Sequence, residues 1–351
     1  MTSLRKPGSR KLAATAMYRE AAQAPDAVRA QLVHNAAAVG RLGRALRAHP
    51  PRAVVTCARG SSDHAATYAK YLVEVRLGIL TSSAAPSIAS LYASGEAMRD
   101  CLFLALSQSG RSPDLLATTR AAKQAGARVV ALVNDEDSPL AWLADDVLPL
   151  CAGAERSIAA TKSHIATLFA LLHLVSAWSG DGELLEAVSQ AADTLDRSWQ
   201  LDWSAALPLL VPASHLFVIG RGVGLGLAQE AALKCKETCA LHAEAFSAAE
   251  VRHGPQALLG RDFPALLFAQ DDEARAGVEE LAVELSARGV PLAIAGARAA
   301  GAIELPAAPA HPSLAPIALA QSFYRFANAL AIARGRDPDK PPHLRKVTET
   351  R

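Results

Sequence analysis

The chain has 351 residues, of which 51% are hydrophobic and 5% aromatic. At roughly 150 residues per domain, this length predicts about two domains and excludes a single small module. The formal net charge is only +2, so no large basic excess is available to bind a polyanion, and we expect no nucleic-acid partner.

The location expected for the chain is cytoplasmic. The N-terminus is basic but lacks the apolar core of a signal peptide, and no apolar run is long enough to span a membrane, so no membrane partner is expected. The five cysteines are odd in number and scattered through apolar segments. This pattern indicates buried, reduced thiols instead of a disulfide framework.

The first half of the chain predicts a helical segment followed by alternating strands and helices. Residues 11–47 carry helix formers with apolar residues near helical spacing, and His-Pro-Pro at 49–51 ends this helix. Strands are predicted at 52–58, 101–106 and 128–134, with helical stretches between them. Strands that alternate with helices indicate βαβ units and a parallel sheet.

The second half repeats this order. One long apolar helix is predicted from Ile158 to about Trp178, and the helical pattern continues over 183–210. Further strands are predicted at 215–220, 263–269 and 290–295, with helices near 227–240 and 272–288, and a final helix that ends near Arg334. Because Gly60 aligns with Gly222, we expect two copies of one α/β domain.

These patterns predict an α/β fold with two tandem domains, each a mainly parallel sheet flanked by helices in a flavodoxin-like three-layer arrangement. The expected organisation is a helical lead-in at 1–48, a first domain at 49–182, a helical connector at 183–211, a second domain at 212–335 and a C-terminal tail at 336–351.

A phosphate-binding loop is predicted at Ser107–Ser112, where a buried strand meets a helix. Ser107, Ser109 and Ser112 bring three hydroxyls beside Gly110, and the helix N-terminus favours an anion. The alternative is an ordinary serine-capped helix start. The loop lacks the GK[ST] ending of a nucleotide P-loop, so a phosphate monoester fits better than ATP. Arg59–Ser62 forms a second turn of the same kind.

Three charged residues are predicted to share one face of the helix near 227–240. Glu230, Lys234 and Glu237 are spaced at i, i+4 and i+7, so Lys234 can neutralise either carboxylate. This pattern indicates either a solvated ion-pair face or a general base held beside a cation. His253 lies in a turn-forming segment, which favours a functional role over a core position.

Cofactor motifs are weak. In the glycine-rich run Gly220–Gly226, leucines occupy the third glycine position of GxGxxG, so NAD is disfavoured. Cys235 and Cys239 share a helix face but have no histidines at zinc-ligand spacing, so no metal is expected. Lys346 in the tail has no function that composition reveals.

Together these residues resemble the double sugar-isomerase-domain (SIS) family, and in particular the isomerase half of glucosamine-6-phosphate synthase. The resemblance covers nearly the whole chain. Its motifs are Ser-Gln-Ser-Gly (107–110), Glu-Arg-Ser-Ile-Ala-Ala-Thr-Lys (155–162), Gln-Glu-Ala-Ala-Leu-Lys-Cys-Lys-Glu (229–237), His-Ala-Glu-Ala (242–245), Arg-His-Gly-Pro (252–255) and Lys-Val-Thr-Glu (346–349).

The resemblance implies a role for each of these segments around a phosphosugar. Glu237 would move a proton between C1 and C2, and Lys346 would contact the open-chain carbonyl or form a Schiff base with it. His253 would assist ring opening and reach the site from the second subunit of a homodimer. The residues implied to bind the phosphate are Ser61, Ser107, Gln108, Ser109 and Ser112, and those implied to line the site are Gly60, Ile158, Glu230 and Lys234.

Two departures from the synthase stand near this site. Arg111 replaces an acidic residue, and Ala160 replaces a serine of the sugar-contacting loop. The sequence also has only about 50 residues before the first βα unit, whereas the synthase carries a glutaminase domain there. The tail resembles that of SIS-type glucosamine-6-phosphate deaminases.

The expected function is therefore glucosamine-6-phosphate deamination, to fructose 6-phosphate and ammonia, without a metal or redox cofactor. Three alternatives stay open: another SIS phosphosugar isomerase or deglycase, a stand-alone isomerase-type relative of the synthase, and a phosphosugar-binding regulator without catalysis. A regulator predicts loss of the catalytic Glu, His and Lys, whereas Glu237, His253 and Lys346 are all present.

Overall fold

The computed structural model describes residues 9–92, 97–344 and 346, which form two compact units that interleave along the sequence. The N-terminal unit comprises Asp26–Ala154 and Ser163–Gln190. The C-terminal unit comprises the described chain up to Pro25, together with Glu155–Lys162 and Ala191–Lys346. The chain therefore passes from one unit to the other inside the segment that the sequence predicts as a helical lead-in.

Among the described residues, strands and helices alternate as expected. The strands are β1 (Ala53–Cys57), β2 (Thr81–Ser83), β3 (Cys101–Ser107), β4 (Arg128–Val133), β5 (Asp146–Pro149), β6 (His215–Gly220), β7 (His242–Ser247), β8 (Ala265–Phe268), β9 (Leu292–Ala295) and β10 (Ile303–Leu305). The helices are α1 (Ser9–Ala13), α2 (Ala16–Ala22), α3 (Ala24–His34), α4 (Ala36–Ala48), α5 (Ser61–Leu77), α6 (Pro86–Ser90), α7 (Pro113–Gln124), α8 (Pro139–Leu143), α9 (Lys162–Ser179), α10 (Gly182–Ser189), α11 (Ala191–Gln200), α12 (Leu207–Leu210), α13 (Leu225–Cys239), α14 (Ala248–Val251), α15 (Arg275–Ala287) and α16 (Ala315–Ala333).

The sheet of the N-terminal unit is parallel, in the order β2-β1-β3-β4-β5. Its central strand β3 is buried along its whole length, since side chains cover both faces of a parallel sheet. Phe103, Leu115 and Val129 belong to the core on one face. The chain leaves β1 and β3 in opposite directions, which creates a crevice at the carboxyl ends of these two neighbouring strands.

The sheet of the C-terminal unit is also parallel, and its order β7-β6-β8-β9-β10 has the same topology. Gly60 after β1 and Gly222 after β6 both have a positive φ, of 56° and 59°. This agreement supports the predicted alignment of the two halves. The predicted fold class, two parallel sheets flanked by helices, is confirmed.

The lead-in contributes helix α2 to the C-terminal unit, where α2 packs against α16. The carboxylate of Asp339 accepts hydrogen bonds from the backbone N–H groups of Ala16 and Met17, at 2.6 and 2.8 Å, and thereby satisfies the free donors of the first turn. Gln321 in α16 donates from Nε2 to the carbonyl of Ala21. The segment before Pro25 is therefore an integral part of this unit.

The long helix predicted from Ile158 begins later, at Lys162, so its predicted start is wrong. Side-chain carboxylates bind the backbone N–H groups of the preceding segment and replace helical hydrogen bonds. Glu20 accepts from the N–H of Ser157, and Glu155 accepts from the N–H of Thr161, both at 2.9 Å. Because these donors are already used, the segment is an irregular loop.

Within the described residues, no helix is long and apolar enough to cross a membrane.

Candidate functional site

In the N-terminal unit, the predicted phosphate loop lies between β3 and α7, at the crevice that follows β1 and β3. Ser107 ends the strand, and its Oγ accepts a hydrogen bond of 3.0 Å from the N–H of Gly110. Gly110 has φ of 64°, and a Cβ there would lie 2.6 Å from the Cβ of Ser138. Glycine is therefore required at this turn, and Ser107 holds its shape.

Three other polar side chains of this loop remain available to a ligand. Ser112 is the N-cap residue of α7, yet its hydroxyl makes no capping hydrogen bond. Gln108, Ser109 and Ser112 are all partly exposed, and none of their side chains makes a hydrogen bond within the described residues. The alternative interpretation, in which the Ser112 hydroxyl caps the helix, is therefore not supported. The hydrogen-bond donors of the loop can reach an anion.

The turn after β1 borders the same crevice. Gly60 precedes α5, and Ser61 is the first residue of that helix. Arg59 contacts the buried carboxylate of Asp114 with Nε at 2.9 Å and Nη2 at 2.7 Å, which ties this turn to the first turn of α7. The guanidinium also neutralises a carboxylate that would otherwise repel a phosphate.

Arg111, a departure from the synthase pattern, lies on the exposed side of the loop. Its Nη2 is 2.8 Å from Oδ2 of Asp135, and this hydrogen bond lowers the pKa of the Asp135 carboxyl. Arg111 is therefore paired with a neighbouring carboxylate in this structure.

In the C-terminal unit, α13 carries the predicted charged triplet, and the shared helix face is confirmed. The Nζ of Lys234 lies 2.6 Å from Oε2 of Glu237 and 3.3 Å from Oε1 of Glu230. Glu230 and Lys234 are fully buried, whereas the side chain of Glu237 is 21% exposed. The alternative of a solvated ion-pair face is thereby excluded for two of the three residues.

The two glutamates of the triplet keep the Lys234 ammonium charged. Burial acts to lower the pKa of the Lys234 ammonium, but the nearby Glu230 and Glu237 carboxylates and their hydrogen bonds outweigh burial, and the pKa is raised. Lys234 is therefore a permanent buried cation near neutral pH.

A residue that the sequence did not single out joins this group. Tyr324 in α16 is fully buried, and its hydroxyl donates a hydrogen bond of 2.9 Å to Oε1 of Glu230. Burial, together with Glu230, raises the pKa of the Tyr324 phenol well above its ordinary value, so it stays protonated. In the sequence Tyr324 is one aromatic residue in an apolar helix, and nothing local distinguishes it from the core.

Lys346 of the tail lies against the loop before α9. Its Nζ donates to the carbonyl of Ser157 at 2.6 Å and lies 3.3 Å from Oε2 of the buried Glu155. Ile158 follows in the same loop and is partly exposed. Glu155 and Glu20, which position this loop, were also not singled out. Residues 347–349 of the tail motif lie outside the described part of the chain.

Glu237 borders a cleft of about 490 Å³ in the C-terminal unit. The other walls are formed by the end of α13 and by the segment after α16, including Lys236, Arg336, Asp337, Lys340, Pro341 and Leu344. The carboxylate that the buried ammonium holds is therefore also the one that solvent or a small molecule can reach.

His253 is not brought into this group. It lies in the turn after α14 with an exposed side chain, and its backbone N–H donates to the carbonyl of Glu250 at 2.9 Å. Its imidazole makes no hydrogen bond within the described residues. The role expected for His253, across a dimer interface, stays a prediction.

The glycine-rich turn after β6 is filled by a side chain of the same unit. Gln270 is buried, and its Nε2 donates to the carbonyl of Arg221 at 2.9 Å. A Cβ at Gly224 would lie 2.6 Å from Oε1 of Gln270. Gly224 thus makes room for the Gln270 side chain. This packing is a structural reason for glycine at this position of the run Gly220–Gly226, which resembles a dinucleotide-binding motif.

The thiols of α13 are structural. Cys235 and Cys239 are buried, and burial raises the pKa of the Cys239 thiol to about 11 and that of Cys235 well above its ordinary value. In the part of the chain that the structure describes, no three His, Cys, Asp or Glu side chains are grouped as a metal ion would need.

Comparisons with known proteins match both halves of the chain. The SIS domain model matches residues 49–177 and 209–303. A glutamine–fructose-6-phosphate aminotransferase (isomerizing) of Aeropyrum pernix is 34% identical over 308 residues, which cover 82% of this chain and 49% of that protein. The chain thus spans about half the length of the curated relatives it matches.

Two solved structures show the same architecture. A Silicibacter pomeroyi protein, described as a candidate phosphosugar isomerase, is 41% identical, with a TM-score of 0.89 over 93% of this chain and 100% of that chain. A Thermotoga maritima glucosamine-6-phosphate deaminase has a TM-score of 0.70 at 23% identity, over 92% of this chain and 100% of that one, and shows a likeness of fold alone. Since the family model covers more than half of the residues, once over each parallel sheet, the chain belongs to the SIS domain family.

Proposed function

We propose that the chain is an aminosugar-phosphate deaminase of the SIS type. It converts glucosamine 6-phosphate and water to fructose 6-phosphate and ammonia. The observation that carries the proposal is the contact of a buried ammonium, on Lys234, with a carboxylate that opens onto a cleft, on Glu237. Such a carboxylate is a candidate base for moving a proton between adjacent carbons.

Binding of the substrate phosphate is assigned to the two turns of the N-terminal unit. Ser107 and Gly110 shape one turn, while Gln108, Ser109 and Ser112 supply donors that make no other hydrogen bond within the described residues. Ser61 and Gly60 belong to the other turn. Phosphate binding supplies energy that is remote from the reacting carbons of the sugar.

The first step is opening of the sugar ring, which exposes the C1 aldehyde. We assign assistance in this step to His253, supplied by the second subunit of a homodimer. The exposure of His253 on its own chain is compatible with such a donation.

The central step is a proton transfer. The C1 aldehyde acidifies the C2–H bond, Glu237 removes the C2 proton, and the same carboxylate returns a proton to C1. The product is a 2-imine. Lys234 holds the Glu237 carboxylate in place through the 2.6 Å contact between its Nζ and Oε2 of Glu237.

Charge that develops on the sugar oxygen during this transfer needs a donor. Lys346 is assigned this role, because its ammonium is partly exposed and held by Ser157 and Glu155. Water then adds to C2 of the imine, and the C–N bond breaks to release ammonia and leave the ketone of fructose 6-phosphate. One water enters and one ammonia leaves, so the step uses no redox group.

The 34% identity to an isomerizing aminotransferase favours a second candidate, synthesis in the opposite direction. The same proton transfer would then run from fructose 6-phosphate and an ammonia donor toward glucosamine 6-phosphate. The two candidates differ in the source or fate of nitrogen, not in the base.

An assay of nitrogen release separates them. Purified protein is incubated with glucosamine 6-phosphate, with N-acetylglucosamine 6-phosphate, and with fructose 6-phosphate plus glutamine, while ammonia and hexose phosphates are quantified. We expect equal amounts of ammonia and fructose 6-phosphate from the first substrate and no ammonia from the second. Product formation only in the glutamine arm, or in none of the arms, would overturn the proposal.

A further inference from the structure

In the C-terminal unit, the buried ammonium of Lys234 contacts two carboxylates, and it lies closer to one of them than to the other. Lys234 Nζ lies 2.6 Å from Glu237 and 3.3 Å from Glu230. Glu230 is the more deeply buried of the two carboxylates, so burial alone would give it the greater need for a cation. An additional interaction must therefore stabilise Glu230.

Tyr324 supplies that interaction. Its hydroxyl donates at 2.9 Å to Oε1 of Glu230, the same oxygen that Lys234 approaches at 3.3 Å. Tyr324 is on α16 and the two glutamates are on α13, two helices that pack together. From the loop before α9, the negative charge of Glu155 also acts on the phenol, and Glu155 is itself paired with Lys346.

We propose that Tyr324 is a positioning residue that directs the Lys234 ammonium toward Glu237 by hydrogen bonding to Glu230. The inference rests on the proposed function, in which Glu237 is the base. Tyr324 is fully buried and hydrogen-bonds to Glu230, so it is assigned no contact with the substrate. It acts indirectly, by changing how strongly Glu230 and Glu237 each attract the Lys234 ammonium.

The physical argument depends on competition for the ammonium. A buried carboxylate that accepts a hydrogen bond from a neutral donor needs less stabilisation from a cation. When that donor is removed, Glu230 attracts Lys234 more strongly, and the contact between Lys234 and Glu237 lengthens. The Glu237 carboxylate then loses part of the positive charge that stabilises it. The other charged residues that border the cleft at Glu237 are unchanged in the variants; they are Lys236 of α13 and Arg336, Asp337 and Lys340 after α16.

The test is the pH dependence of kcat/KM for two variants at one position. Tyr324→Phe keeps the ring but removes the hydroxyl, and we expect its acid limb to move to higher pH by roughly half a unit or more. Replacement of Tyr324 by 3-fluorotyrosine keeps the shape and strengthens the donor, because its phenol is more acidic. We expect its acid limb to move in the opposite direction.

Tyr68→Phe is the matched control. Tyr68 is also fully buried but belongs to α5 in the N-terminal unit, so loss of its hydroxyl should leave the acid limb where it is. Tyr324→Phe is checked for folding by circular dichroism. If Tyr324→Phe does not fold, the pH dependence of the 3-fluorotyrosine protein alone tests the role of Tyr324, since this side chain keeps the shape of tyrosine.

Two readouts separate failure of this inference from failure of the proposed function. Ammonia release from glucosamine 6-phosphate reports the complete reaction, and deuterium exchange at C1 of fructose 6-phosphate in D₂O reports the proton transfer alone. If the wild-type protein catalyses neither, the proposed function is overturned and this inference with it. If it catalyses either one while both variants keep the wild-type acid limb, or shift it in the same direction, only the role of Tyr324 is overturned.

Discussion

Lys234 is almost completely buried, whereas Glu237, whose Oε2 it contacts at 2.6 Å, keeps 21% of its side chain exposed. The pair thus joins the interior of the C-terminal unit to the cleft beside α13. A cation that is locked inside the protein stabilises a carboxylate that can meet a ligand.

Glu237→Gln should abolish turnover while phosphosugar binding is retained. The amide keeps the size of the side chain but cannot accept the C2 proton, and loss of a general base lowers kcat by about 10²–10⁴-fold. The measurement is kcat from ammonia release, with binding of glucosamine 6-phosphate by calorimetry. Glu280→Gln, at an exposed position of α15, should change neither. Activity near the wild-type level in Glu237→Gln would contradict the assignment.

Lys234→Met should destabilise the C-terminal unit by about 3–5 kcal/mol, because removal of the ammonium leaves the buried Glu230 carboxylate without this cation. Urea denaturation measures the loss. The double variant Lys234→Met, Glu230→Gln should recover part of it, since one of the two carboxylates is then neutral. Lys236→Met, at the exposed position two residues further along α13, should stay within about 0.5 kcal/mol of the wild type. Equal losses in the single and double variants would argue against the coupling.

Ser112→Ala and Ser107→Ala should have different effects. The Ser112 hydroxyl makes no capping bond, so its loss should weaken phosphosugar binding several-fold and leave stability unchanged. The Ser107 hydroxyl accepts from the N–H of Gly110, so its loss should lower both binding and stability, the latter by about 1–3 kcal/mol for an unsatisfied buried donor. Calorimetry and thermal melts measure the two effects. Ser189→Ala on α10 is the exposed control.

The buried His173 should make the stability of the N-terminal unit sensitive to acid. Burial lowers the pKa of its imidazole from 6.5 to about 4, so the unfolded chain binds more protons than the folded chain between these values. Stability should therefore fall as the pH drops through this window, by up to ~3 kcal/mol. His173→Met should remove this part of the loss, as followed by urea denaturation at pH 7 and pH 4.5. His49→Gln, at an exposed position, should keep the wild-type pH dependence.

The central strands of both sheets were predictable because their apolar runs are long and are followed directly by turns and helices. β2, β5, β7 and β10 were not predicted. Three of these have only three or four residues. The fourth, β7 (His242–Ser247), has a polar residue at three of its six positions and is fully buried only at Ala243. Such strands form because a neighbouring strand supplies hydrogen bonds, and no local pattern records that neighbour.

For the candidate site, local spacing was enough to place Glu230, Lys234 and Glu237 on one helix face, and to place the serines of 107–112 between a strand and a helix. These are short-range properties, set by the helical repeat and by the polarity of a strand-to-helix turn. The sequence by itself therefore determined the parallel α/β fold, its duplication and the composition of the two turns and the helix face.

Only the tertiary structure decided which charges are buried and which distant side chains join them. Tyr324 meets Glu230 across 94 positions of sequence, and Lys346 meets Glu155 across 191. Glu20 reaches Ser157 across 137 positions, and it explains why α9 begins at Lys162. These contacts depend on how helices pack after the chain has closed long loops. The free energy of a buried charge depends on all of its neighbours together, so the local spacing of residues does not specify it.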